Sequence, residues 1–129
     1  MLPHRLSLPF FIDDLYSGLA KVNGLLSLDG DQVRIEFQTQ DNLVGIFKGN
    51  TGTRHVSLRD IYKFELKSNW FTRSITLRPT TLGALDGIPG VDDGQLKLKF
   101  KKRDLEIARD LVSHANLRLS EIRLEDLDD

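Results

Sequence analysis

Cysteine is absent from the 129-residue chain, and methionine and tryptophan occur once each. The missing thiols remove disulfide staples, thiolate nucleophiles and cysteine-ligated zinc together, and they fit a reducing compartment, so the expected location is the cytoplasm. Charge of one sign is lacking as well. Eighteen Lys and Arg meet 19 Asp and Glu, a formal net charge of -1, which gives no global field for nucleic acid. The apolar N-terminal stretch at residues 6–12 is interrupted by Pro9 and followed at once by Asp13 and Asp14. It is too short for a signal peptide and far too short for a transmembrane segment. A hydrophobic share of 40% and a charged share of 29% leave an ordinary globular composition, and a chain of this length needs only one core.

What is present is short-period alternation. Ala20, Val22, Gly24, Leu26 and Leu28 recur at period two and predict a strand over residues 19–28. Asp29-Gly30 supplies the positive φ of a tight hairpin, after which Val33, Ile35 and Phe37 alternate with Arg34, Glu36 and Gln38. A turn at Asp41-Asn42, a third strand over 43–48, a glycine-bearing loop at 49–53 and a fourth strand over 54–58 follow. Tyr62, Phe64 and Leu66 mark a fifth strand over 61–67, Ile75 and Leu77 a sixth over 72–78, and Leu96, Leu98 and Phe100 a seventh. Between the last two, residues 80–94 are rich in Gly and Asp and read as a long mobile loop. The period then changes. Asp104 is placed to cap a helix in which Leu105, Ala108, Leu111, Val112 and Ala115 form one apolar stripe.

Seven short strands cannot bury a common face as a flat sheet, so they must curl, with the helix plugging the open end. The predicted fold class is therefore mainly β: a seven-stranded antiparallel, partly closed barrel of two near-orthogonal sheets capped by one C-terminal α-helix. The Asp29-Gly30 hairpin, the Val56-Ser57-Leu58-Arg59-Asp60-Ile61 passage, Ile75-Thr76-Leu77-Arg78 and the helix of residues 105–115 together resemble bacterial PH-like domains, members of the pleckstrin homology superfold of mostly unknown function. The resemblance implies a binding module, because that superfold hosts lipid, peptide and protein binders alike. It divides the chain into an N-terminal extension at 1–17, a PH-like domain at 18–116 and an acidic amphipathic tail at 117–129.

Catalytic and metal chemistries find no motif. The three histidines, His4, His55 and His114, match no metal spacing, and no Gly-x-Ser-x-Gly elbow is present. Residues 45–53, flanked by Lys48 and Arg54, suggest a phosphate cradle but lack the Gly-Lys-Ser/Thr ending of a P-loop and read as a hairpin loop. Asp86, Asp92 and Asp93 do not have EF-hand spacing and read as a solvated loop. No metal site, no cofactor and no enzymatic activity are expected.

Interaction surfaces remain. Lys63, Lys67, Arg78, Lys97 and Lys99 alternate outward on the fifth to seventh strands and lead into Lys101, Lys102 and Arg103. Such a basic face suits acidic lipid or an acidic protein segment, or serves as edge protection, and it lacks the interleaved aromatics of a nucleic-acid platform. Trp70 and Phe71 occupy a corner that strand alternation does not explain. They are assigned first to closing the barrel, with partner contact as the other use. In the tail, Leu117, Leu119, Ile122, Leu124 and Leu127 are too many apolar residues for a solvating segment, while Glu121, Glu125, Asp126, Asp128 and Asp129 make it acidic. Association through this tail, between copies of the domain or with a partner and with the basic face as its complement, is one expectation, and docking within one chain is the other.

By resemblance, lipid-binding relatives use basic residues on the loops joining strands one and two, three and four, and six and seven. With strands numbered as above, those loops offer Asp29, Asp31, Asp86, Asp92 and Asp93 against Lys48 and Arg54, so phosphoinositide binding is not expected. The resulting reading is a non-enzymatic module for a protein partner or for homo-oligomerisation. A peripheral membrane or acidic-lipid binder is the alternative, and an enzyme without a recognisable motif comes third.

Overall fold

The computed structural model describes residues 6–41 and 46–128, with side chains for all of these except 41 and 46–50. The chain forms seven antiparallel strands and one long helix: β1 Ser7–Leu15, β2 Ala20–Asp29, β3 Gln32–Asp41, β4 Ile46–Ser57, β5 Ile61–Ser68, β6 Arg73–Pro79, β7 Leu96–Lys99 and α1 Leu105–Leu127. They make one hydrogen-bonded sheet in the order β4-β3-β2-β1-β7-β6-β5. The sheet is not closed, since β4 and β5 remain as edges. Among the described residues no helix is long and apolar enough to cross a membrane.

The mainly β architecture with a C-terminal helix agrees with the alternation in the sequence, but the seven strands are not the seven anticipated. Residues assigned to an N-terminal extension supply β1, which lies inside the sheet between β2 and β7. Its Leu8, Phe10 and Ile12 are buried, while Pro9 faces outward. A proline has no N–H to donate to a ladder. It is tolerated here because β7 meets β1 only at the Phe11–Lys99 pair, leaving β1 without a ladder to that side at Pro9. Conversely, the anticipated third and fourth strands are one. β4 runs through residues 49–53, paired with β3 at Thr39–Asn50, Gln38–Thr51, Phe37–Gly52 and Glu36–Thr53, with a register shift before Asn50 that leaves 48 and 49 between the pairs Gln40–Phe47 and Thr39–Asn50. The partner strand β3 is long enough to hold residues 50–53 in the ladder, so the irregularity shrinks to a bulge at 48–49 in place of a loop. Asp41 ends β3, and Asn42 of the expected turn, residues 43–45 of the expected third strand and His4 lie outside the described residues.

The hairpin at Asp29-Gly30 forms as its chemistry requires, with Gly30 at φ +62° and the ladder closing at Asp29–Gln32. Val22, Leu26, Val33 and Ile35 from its two strands are fully buried. At Gly24 a side chain would run into the Phe10 ring, so the missing Cβ lets that ring lie across β2. On β5 the alternation slips. A bulge between Ile61 and Lys63 turns both Ile61 and Phe64 inward and leaves Tyr62 exposed, where the Arg123 guanidinium lies 5.1 Å from its ring centre.

The connection from β6 to β7 is not the solvated loop its composition suggested. Successive i-to-i+3 turns carry it across the sheet and bury Leu85 and Ile88 in the core. Arg54 on β4 holds it by donating to the carbonyls of Asp86 and Ala84. Gly and Asp therefore serve turn geometry here, and the apolar residues between them supply the packing.

The helix is twice as long as its first stripe indicated. Ala108, Leu111, Ala115, Leu119 and Ile122 all face the core. Asp104 makes no side-chain cap, and a short 3-10 turn at Lys102–Asp104 leads into the helix in its place. The acidic tail is thus the second half of α1 and docks within the chain. Its complement is not the basic face of β5 to β7. Arg59 pairs with Asp126 at 2.6 Å, and Arg118 holds Asp31 in the β2–β3 turn through two bonds of 2.7 and 2.9 Å.

Candidate interaction surface at the β5–β6 tip

β5 and β6 are joined by a four-residue turn, Asn69 to Thr72, beyond the last ladder pair Ser68–Arg73. Asn69 fixes it: its N–H donates to the Thr72 carbonyl at 2.9 Å, and its Oδ1 accepts from the N–H groups of Phe71 and Thr72, both at 2.8 Å. An Asn side chain bonding the backbone ahead of it is a turn-forming device in its own right. The two central positions are Trp70 and Phe71. Because they lie past the end of the sheet, neither ring reaches the core, and they are 87% and 86% exposed. The assignment of these rings to closing the barrel is therefore corrected: core closure falls to Phe64, Phe100, Leu85 and the α1 stripe.

Cations surround the rings. Arg73 and Lys102 line the shallow depression beside Trp70, together with Ser68, Asn69 and Leu105. The same two residues, with Lys99 and Lys101, line the depression on the Phe71 side. Lys99 is engaged by Asp13 at 2.8 Å, an ion pair that holds the carboxyl below and the ammonium above their ordinary ranges. Among the described residues Arg73, Lys101 and Lys102 form no ion pair; the two lysines are exposed and Arg73 is half-buried. Sequence reasoning did not single out Arg73. Only the Ser68–Arg73 register places it at the base of the tip.

The other anticipated interaction residues scatter. The ladder pairs Lys63–Arg78, Lys67–Ser74, Ser74–Lys99 and Thr76–Lys97 bring Lys63, Lys67, Arg78, Lys97 and Lys99 to one face of β5 to β7. Lys63 and Arg78 both converge on Glu65, at 3.8 and 2.9 Å, and Arg78 keeps that carboxyl below its usual range. One carboxylate is thereby shared by two of the five cations on this face and offsets one of their charges. Lys97 stands at the far end, beside Asp14, Tyr16 and Asp92. Leu119 and Ile122 are excluded from any docking surface, being 2% and 3% exposed as part of the core, while Leu124 is exposed with Leu117 and Leu127. Asp29 and Asp31 lie in the β2–β3 turn, away from the β1–β2 and β6–β7 connections, because β1 now precedes what had been numbered the first strand.

No three His, Asp or Glu side chains among the described residues stand close enough to hold a metal. His55 and His114 are exposed, the latter with Nδ1 2.8 Å from the Asp110 carbonyl. Comparison of the chain with protein-family models, with curated proteins and with solved structures finds no match.

Proposed function

We propose that this chain is a non-enzymatic, PH-like interaction module that engages a macromolecular surface through the β5–β6 tip. The observation that carries this reading is the pair Trp70 and Phe71, held on a pinned turn and almost wholly outside the fold. An aromatic pair that contributes nothing to the core is the kind of anchor that dominates binding surfaces. The PH-like assignment is supported by the strand order and the C-terminal helix. It is also supported by the narrow Phe11–Lys99 seam, which divides the sheet into a four-stranded and a three-stranded part.

A photo-crosslinking residue placed at position 70 tests the reading in the native host cell, with the same group at exposed Gln32 as comparator. Adducts at 70 in clear excess over 32 are expected. Equal labelling at both positions overturns the proposal.

A second reading is favoured by one further observation. Leu117, Leu124 and Leu127 form an exposed stripe along the outer side of α1 at spacings of seven and three, which suits contact with a second copy of the chain. Light scattering on the parent and on Leu124→Glu tests it, with a dimer reduced to a monomer as the supporting result and a monomeric parent as the contrary one. Truncation before Leu117 is unsuitable, because it would also remove Leu119 and Ile122 from the core.

A further inference from the structure

We infer that the partner of the β5–β6 tip is the surface of an anionic lipid bilayer, with Trp70 and Phe71 entering the interfacial layer and Arg73, Lys101 and Lys102 meeting lipid phosphates. This rests on the preceding reading that the tip is the binding surface.

Shape is the first argument. The two rings sit side by side at the apex of a hairpin, past the end of the sheet, with only shallow depressions beside them. A rigid partner would need a matched cavity for two large rings projecting from a convex tip. The headgroup layer needs none, because it deforms around what enters it. Chemistry is the second. Aromatic rings favour the membrane–water interface, and Lys and Arg set behind them reach the phosphate level. Arg73 and Lys102 flank both rings, and Lys101 adds to the Phe71 side. Against the cations at this end stand Asp13, committed to Lys99, half-buried Asp104, and Glu106, exposed on the first turn of α1; Arg73, Lys101, Lys102 and Arg103 outnumber the two that are not committed. The field at the tip is therefore positive although the whole chain carries -1.

Rigidity is the third argument. Three hydrogen bonds involving Asn69 hold the turn in place before any partner arrives, so little conformational entropy is lost when it docks. Two rings and a few cations give reversible attachment that needs both signals, since neither apolar insertion nor charge alone anchors firmly.

The chain reports on this site by itself, because Trp70 is its sole tryptophan. Vesicles of phosphatidylcholine, with and without phosphatidylserine as a third of the lipid, are added to the full chain while fluorescence and co-sedimentation are followed. With phosphatidylserine, the expected results are a blue shift of the emission and co-sedimentation at least several-fold above phosphatidylcholine alone, falling as salt rises. Trp70→Ser with Phe71→Ser should abolish sedimentation, and Arg73→Gln with Lys102→Gln should lower it several-fold. The first pair should melt with the parent, since neither ring is in the core. Co-sedimentation with unshifted emission overturns the inference, because another face then binds. Absence of vesicle binding while position 70 still crosslinks to a protein in cells also overturns it and leaves the tip reading standing. Failure of both experiments removes both.

Discussion

Asn116 on α1 pairs with Phe64 on β5 as a neighbouring strand would: its Nδ2 donates to the Phe64 carbonyl at 2.9 Å and its Oδ1 accepts from the Phe64 N–H at 3.2 Å. The Phe64 ring points into the core, and its backbone groups point off the open edge of the sheet. Arg123 continues the cover by donating to the Tyr62 carbonyl. A helix thus satisfies backbone groups that an exposed edge would offer to another chain.

Asn116→Ala should therefore cost about 1–3 kcal/mol, the usual penalty for unsatisfied, partly buried polar groups. It should also raise the tendency to associate by uncovering β5. Urea unfolding and light scattering on the same variant check both, and parent-like values in each would show that the pair is incidental.

Along α1 the cost of truncation should follow burial and ignore the tail boundary. Leu111→Ala and Leu119→Ala should each destabilise by about 2–5 kcal/mol, as buried leucines do. Leu124→Ala, 63% exposed, should stay within about 0.5 kcal/mol. A Leu119→Ala variant that melts like the parent would mean that the second half of the helix is undocked.

Acid should loosen the contacts between helix and sheet. Arg118 holds the Asp31 carboxyl below its ordinary range, chiefly through their hydrogen bonds. A carboxyl depressed in the fold contributes stability that is fully present above its unfolded value of about pH 4. That contribution is lost as pH falls through the still lower folded value. Asp31→Asn should lower stability at neutral pH and converge with the parent in acid. The difference should be modest and reduced by salt, since the pair is exposed. Thermal melts from pH 7 down to about pH 2 would show it, and a gap between the two proteins that widens in acid would contradict it.

Inositol phosphates should not bind where the β1–β2 and β6–β7 connections meet. The depression there is lined by Asp14 and Asp92 as well as Lys97 and Lys99, and Lys99 is already engaged by Asp13. Calorimetry should detect no micromolar binding with parent or with Lys97→Ala. Binding by the parent that disappears in the variant would refute this.

The core positions of β2, β3, β6, β7 and the first half of α1 were legible because each is decided by neighbours in sequence: period two, period 3.6 and the Asp29-Gly30 turn. β1 was hidden by Pro9, whose cost depends on whether a strand lies beside it. β4 reads as two strands because glycines at 49 and 52 signal a loop, whereas β3 pairs Gly52 in the ladder and takes up 49 in a register shift. The tail was cut from α1 although no Gly or Pro ends the helix at Asn116 and the stripe runs on from Ala115 to Leu119 and Ile122.

By itself the sequence determined a mainly β chain with one terminal helix, its tight hairpin and most of its buried side chains, since local periodicity and turn chemistry carry that information. The tertiary structure alone decided which charges are spent and which are free. Arg78 and Lys99 find carboxylates only when β5, β6, β7 and β1 are brought together, whereas Arg73, Lys101 and Lys102, among the described residues, are left without an ion pair beside Trp70 and Phe71. Whether an aromatic ring plugs a core or projects from a tip depends on where its turn stands relative to the sheet. That is a long-range property which no window of residues contains.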